Sequence, residues 1–175
     1  VSIWPSIVEV CCYALLKALN ATYKRNSSPD KLLTMYTDAS EDGYGVFIFD
    51  DHRVLSDAPI IIVAGRWSSQ ERKSSINLLE LRAWRIGIRT ISERKDAEMK
   101  IGIQGHIDST TARSWILRNR APTYAANQIA AELTDDMPQH NLELHSLEYV
   151  QSKRNFADKP SRKYQAPSQL RPFDV

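Results

Sequence analysis

Cysteine is scarce in this chain: two residues in 175, and they are neighbours, Cys11 and Cys12. Adjacent cysteines rarely bridge each other, so there is no disulfide framework, and a reducing, intracellular setting fits better than secretion. Long apolar runs are missing as well. No stretch has the length needed to cross a bilayer, and the N-terminal apolar run lacks the basic leader and cleavage site of a secretory signal. Nor is there a strong excess of one charge. Lysine and arginine number 23 against 21 aspartates and glutamates, a net charge of +2, so a polyanionic partner must be argued from local clusters. The 4 histidines are scattered, and His140 and His145 have no cysteine beside them, which argues against a zinc site.

What is present is ordinary globular composition, 42% hydrophobic and 25% charged, with enough chain to bury a core. The length suits one domain with extensions, and an initial valine suggests a piece of a larger polyprotein. Residues 3–24 read as a helix with Pro5 in its first turn, and KRNSSPD reads as a linker, so residues 1–31 form an N-terminal extension. Its apolar positions Ile7, Val10, Cys11, Ala14, Leu15 and Ala18 suit packing on the domain or on a preceding segment. LLTMYTDAS, YGVFIFD and PIIIVAGRW are three strand-like runs at hairpin spacing, the first two joined by EDG; they predict an antiparallel meander. A helix over 76–93, a strand over 99–108, helices over 110–119 and 123–137, and a strand over 141–150 follow. NFADKPSR predicts one helical turn interrupted by Pro160, and residues 164–175 a Pro-containing tail. Five strands, the first three in a block, predict an α/β fold with a mixed sheet over residues 32–163.

Within this pattern the carboxylates stand out. At 100° per residue, Arg82, Arg85, Arg89 and Glu93 share one arc of the 76–93 helix, a solvated face. Glu80 lies opposite, beside Ile76, Trp84, Gly87 and Ile91. A carboxylate in an apolar stripe is costly unless paired, so Glu80 is either a core acid bonded to a buried base or a functional ligand. Asp108 ends the fourth strand just before Ser-Thr-Thr, where it would equally serve as an N-cap. Asp38 ends the first strand, where an Asx turn is the structural alternative. Asp158 sits amid Lys153, Arg154, Lys159, Arg162 and Lys163 and could be an ordinary helix-terminus acid. Should the four converge at one end of the sheet, they would repel unless cations lay between them. Oxygen-preferring divalent ions such as Mg²⁺ fill that role.

TDAS with the downstream GYGV, GRWSSQERKSSINLLELRAW, HIDSTTA, and YVQSKRNFADKPSR together resemble ribonuclease H. The resemblance covers about residues 32–163 and is nearest to the ribonuclease H domains of retroelement polyproteins, DIRS-like retrotransposons or pararetroviruses. It implies a five-stranded mixed sheet with helices on both faces and hydrolysis of the RNA strand of RNA·DNA hybrids. It also implies a metal site of Asp38, Glu80, Asp108 and Asp158 holding two Mg²⁺ ions, with Mn²⁺ as a substitute. The partners it implies are the hybrid and an upstream reverse transcriptase or connection segment, with no membrane, and the isolated domain is expected to be monomeric. Ser40, Asn77, Ser109, Arg113, Lys153, Arg154 and Asn155 are the implied substrate contacts; Asn77, three residues before Glu80, would read the RNA strand.

Two departures from that pattern stand out. Many family members carry a histidine in the loop before the last aspartate, whereas this chain has SKRN, and lysine is a poor proton shuttle near neutral pH. Only RNRAPT separates the two middle helices, which leaves no room for the extra basic helix of many cellular enzymes. A non-catalytic module that positions nucleic acid within a polyprotein is the alternative function, and another nuclease or a transposase on the same fold is a third. Trp67 reads as core rather than as a stacking platform, and His106, on the same strand face as Asp108, as a buried residue or one just behind the site.

Overall fold

The computed structural model describes residues 28–50 and 58–163. The expected N-terminal helix, with Cys11 and Cys12, and the C-terminal tail lie outside the described residues. The elements run β1 (Lys31–Ala39), β2 (Gly43–Asp50), β3 (Ile61–Arg66), α1 (Ile76–Arg94), β4 (Ile101–Ile107), α2 (Thr110–Arg118), α3 (Tyr124–Gln139), β5 (Leu142–Tyr149) and α4 (Asp158–Lys163). They build one five-stranded sheet in the order β3-β2-β1-β4-β5. The meander is antiparallel, as expected, while β1–β4 and β4–β5 are parallel. Parallel neighbours need a crossover, and α1 and the α2–α3 pair supply the two crossovers. No helix among the described residues is long and apolar enough to cross a membrane.

The β1–β2 turn is closed by Ser40. Its amide donates to the Gly43 carbonyl at 2.8 Å, and its hydroxyl accepts from the Gly43 amide at 3.1 Å. This fixes the register in which Asp38 faces Gly45 and Met35 faces Ile48. Since strand side chains alternate, Met35 and Asp38 point to opposite faces of the sheet.

The Met35 face carries α1. Leu33, Met35, Val46, Ile48, Ile101, Ile103 and Ile107 are essentially inaccessible there, capped by Leu81, Trp84, Ile88 and Ile91. Gly87 lets the helix approach closely, because a Cβ at that position would lie 2.4 Å from Met35 Sδ. Ile116, Ile129 and Leu133 of α2 and α3 extend the same core, and Arg85 pairs with Glu132 between α1 and α3.

The opposite face carries α4. A Cβ on Gly45 would sit 2.6 Å from the Ala157 carbonyl and 3.1 Å from the Ser161 amide, so glycine is what lets this backbone lie on β2. Tyr36, Phe47, Phe49 and Phe156 cluster beside it.

Three expectations need correction. Pro160 does not interrupt the last helix, which runs Asp158–Lys163; it is the third residue, in the first turn, whose amides need no intrahelical partner. The helix expected over 123–137 continues through Pro138 to Gln139. Ile76 is not in the core stripe but 45% exposed, because the first turn of α1 projects beyond the edge of the core.

Candidate metal centre

The acids Asp38, Glu80 and Asp108 meet at the C-terminal ends of the two central parallel strands. Asp38 is the penultimate residue of β1, Asp108 directly follows β4, and Glu80 reaches them from the second turn of α1. Each offers a carboxylate oxygen, and these oxygens all lie within 4.8 Å of one another. Asp38 is 3% and Glu80 4% exposed, so two of the three are inside the protein. They line a cleft of about 750 Å³ together with Ser40, Asn77, Ser109, Ile76 and Arg162.

The structural alternatives for these acids are already filled by their neighbours. Ser109, not Asp108, is the N-cap of α2, its hydroxyl accepting from the Ala112 amide at 3.1 Å. Ser40, not Asp38, closes the turn. Glu80 is not bonded to a buried base. Its Oε1 accepts from the Ala39 amide at 3.1 Å, and its Oε2 is buried with no hydrogen-bond partner among the described residues. The sequence thus places three carboxylates side by side and gives the local capping work to serines.

Charge is disfavoured in this arrangement. Burial first, then the Asp38 and Asp108 charges, push the Glu80 carboxyl up to about 9, and the Ala39 amide pulls only partly the other way. Burial likewise pushes Asp38 up to about 7; the Ser161 hydroxyl opposes the shift, Asp108 and Asp158 add to it, and Arg162 opposes it. Raised carboxyls of this kind are compatible with a cation site, since a cation placed among them would favour their charged forms.

Asp158 stands apart. It is not in the tight group, and its Oδ1 accepts from Arg162 Nε at 3.1 Å and Nη2 at 2.9 Å. Its field still reaches Asp38. The backbone of α4 is tied to the site by Ser161, which periodicity gave no reason to single out. Ser161 is fully buried; its Oγ bonds Asp38 Oδ2 and lies 2.8 Å from the Asp158 carbonyl. Ser40 Oγ donates in turn to the Ser161 carbonyl at 2.8 Å.

The expected substrate contacts divide. Ser40, Asn77 and Ser109 line the cleft, with the Ser109 hydroxyl 3.3 Å from Asn77 Oδ1. Lys153 and Arg154 are exposed on a short 3₁₀ turn, outside the cleft lining. Arg113 is turned inward, its Nε donating to the Leu147 carbonyl at 2.8 Å. Asn155 is 5% exposed and engaged inside the fold, donating to the Thr37 carbonyl at 2.9 Å and accepting from the Ala157 amide at 3.1 Å. It seats the last segment against β1 rather than facing the cleft. Trp67 is core, as expected, with its indole donating to the Ser40 carbonyl at 3.1 Å. His106 stacks on Tyr36 at 4.4 Å, half-buried.

No protein-family model matches the chain, and no curated protein matches it. Solved structures do. The N-terminal RNase H domain of Rv2228c from Mycobacterium tuberculosis, determined as a fusion with maltose-binding protein, superposes with a TM-score of 0.60 at 12% identity, over 77% of this chain and 93% of that one. RNase H1 from the halophilic archaeon Halobacterium salinarum NRC-1 gives 0.56 at 9% identity, over 74% and 92%. LC11-RNase H1, solved in complex with an RNA/DNA hybrid, gives 0.54 at 13% identity, over 74% and 91%. At such identities the likeness is one of fold, and the fold is ribonuclease H-like.

Proposed function

We propose that this domain is a metal-dependent endonuclease that hydrolyses the RNA strand of RNA·DNA hybrids during reverse transcription of a retroelement. The observation that carries the proposal is the group of three mutually close carboxylates containing a buried Glu80 oxygen with no hydrogen-bond partner among the described residues. An all-oxygen donor set with an orphaned buried oxygen fits a hard divalent cation, Mg²⁺ or Mn²⁺, better than zinc or copper. Asp38, Glu80 and Asp108 would hold it, with Asp158 at the rim as the fourth acid. When bound, a pair of such ions supplies an activated water and charge stabilisation for in-line phosphoryl displacement.

The remaining side chains suit a ribose-bearing substrate. Asn77 and Ser109 present neutral hydrogen-bonding groups to the cleft beside the acids, chemistry able to read a 2′-hydroxyl, the group that distinguishes RNA from DNA. Ile76 offers an exposed apolar side chain at the same rim. The acids can act without a protein nucleophile, giving 3′-hydroxyl and 5′-phosphate ends. The retroelement setting and an upstream reverse transcriptase or connection segment as partner are supported by the sequence motifs, and an intracellular location by the adjacent cysteines.

The test is direct. Labelled RNA·DNA hybrid, double-stranded RNA and double-stranded DNA are incubated with the protein in Mg²⁺, Mn²⁺ or EDTA. Cleavage is expected only of the RNA in the hybrid, and EDTA abolishes it. Asp38→Asn loses cleavage while its circular dichroism stays native and its melting stays cooperative. Full activity in that variant overturns the assignment, and hybrid binding without any cleavage supports the non-catalytic positioning role instead.

A further inference from the structure

The cleft is strongly one-signed. Asp38, Glu41, Asp42, Glu80 and Asp108 line it, and among the described residues the single base in that lining is Arg162. An anionic backbone entering such a cleft meets repulsion that cations must relieve, and Arg162 is the protein's own cation there.

The position of Arg162 is set by its neighbours in α4. Ser161 is fully buried and joined to Asp38 and to Ser40, so the backbone at this point is fixed against the site. The next side chain must therefore leave the helix at the cleft. Arg162 is exposed, 65% against 26% for the Asp158 side chain, and it lies four residues after Asp158 on the same helix face. Its Nε and Nη2 both converge on one oxygen, Asp158 Oδ1. A guanidinium has five N–H donors, so part of its fork is left for another acceptor. Arg162 also feels the Asp38 and Asp108 charges as well as that of its direct partner.

We infer that Arg162 is an exchangeable cation: it clamps Asp158 until divalent ions occupy the acids, and then turns its fork to a substrate phosphate. The inference rests on the nuclease reading for its second half only. A cation arriving at Asp158 competes with the guanidinium for the same carboxylate and repels it. The released guanidinium matches a phosphodiester geometrically, since its planar fork binds phosphate bidentately. Substrate grip and metal loading would thus be coupled: phosphate affinity from this arm appears only once the acids are neutralised. Such coupling also lets the domain discriminate against free nucleic acid when it lacks metal.

The wild-type protein is compared with Arg162→Ala and Arg162→Lys, whose folding is checked by melting; Arg162→Gln serves if alanine proves unstable. The first readout needs no substrate: Mg²⁺ and Mn²⁺ are titrated calorimetrically into each protein. Removing a competing exposed ion pair raises ion affinity by about threefold to fivefold, the scale of such pairs. Unchanged or weaker ion binding in Arg162→Ala overturns the clamp. The second readout is hybrid cleavage at saturating Mg²⁺. KM rises by about tenfold with kcat within about twofold, the loss expected for one charge-assisted phosphate contact. Arg162→Lys, keeping charge without the fork, falls between. The salt dependence of KM shallows by about one charge. A fall in kcat at constant KM overturns the phosphate role. Should the wild-type protein not cleave hybrid at all, the nuclease reading fails while the calorimetric result still decides the clamp.

Discussion

Replacing Glu80 by glutamine should stabilise the protein when divalent ions are withheld, and the size of the effect follows from the site. Glu80 is 4% exposed and its carboxyl is pushed up to about 9, from 4.5 in an open chain. Between those values the folded protein binds a proton that the unfolded chain does not. Stability must then fall as pH rises through this window. At pH 7 the open-chain acid is about 2.5 units past its midpoint, and each unit is worth about 1.36 kcal/mol, so keeping Glu80 in place costs about 3 kcal/mol. Glutamine has the shape of the protonated acid and carries no such cost. Its carbonyl can still accept from the Ala39 amide, and its NH₂ can donate to Asp38 or Asp108. Urea or thermal unfolding in EDTA provides the assay. The variant and wild type should be equally stable near pH 4.5 and diverge steadily above it. The gap should reach about 3 kcal/mol at pH 7, roughly 10 °C in melting temperature. Adding Mg²⁺ should close or reverse the gap, because only the wild type retains the full ligand set. A variant less stable than wild type at pH 7 in EDTA, or a gap that does not change with pH, would refute this account of the acids.

Other perturbations probe the supports. Gly45→Ala places a methyl against the backbone of Ala157 and Ser161, which cannot yield as a side chain can; it should cost about 1–3 kcal/mol in urea unfolding and depress activity more than stability predicts, by lifting α4 from the site. Ser161→Ala removes a hydrogen bond that favours the charged form of Asp38, so the Asp38 midpoint rises above about 7. The pH below which Mg²⁺ binding weakens, read by calorimetric titration between pH 5 and 9, should move about one unit higher. Asn155→Ala strands the Thr37 carbonyl and the Ala157 amide inside the protein and should cost about 1–3 kcal/mol by denaturant titration, with KM for hybrid moving less than kcat.

Periodicity carried the sequence reading a long way, and its limits are physical. Alternation in β1 and β4, and the apolar stripe of α1, were enough to put Asp38, Asp108 and Glu80 at element ends or facing inward. Those patterns are local and survive in a single chain. What they could not separate was Asp108 from Ser109 as N-cap, or Asp38 from Ser40 as turn closer, because adjacent residues with the same preference compete for one role. The remaining misses are contacts between distant segments. Ser161 meets Asp38 across 123 positions and Asn155 meets Thr37 across 118, and no pattern of spacing encodes either. The charge of Arg113 was visible in the sequence, but its inward hydrogen bond to the Leu147 carbonyl was not. Ile76 looked like core because the helical wheel extends a stripe past the point where the sheet beneath it ends.

The division of the acids into three and one has a physical logic. Asp38 and Glu80 sit on the elements that also make the core, Glu80 between Leu79 and Leu81, both essentially inaccessible. Such positions hold carboxylate oxygens rigidly, as a metal site requires, but they also make the charged form costly, so that stability would depend on metal occupancy. Asp158 is on a short helix on the other face, held by Ser161, Asn155 and the absence of a side chain at Gly45, and is partly exposed. An acid there can be paired with Arg162 without burying an ion pair. A fully buried quartet would be still harder to charge, and a fully exposed one would lose the aim that the core gives to Asp38 and Glu80. Three oxygens fixed by the sheet and α1 and one supplied from the surface reconcile those demands, and on the proposed function the α4 segment would be where metal and substrate influence each other.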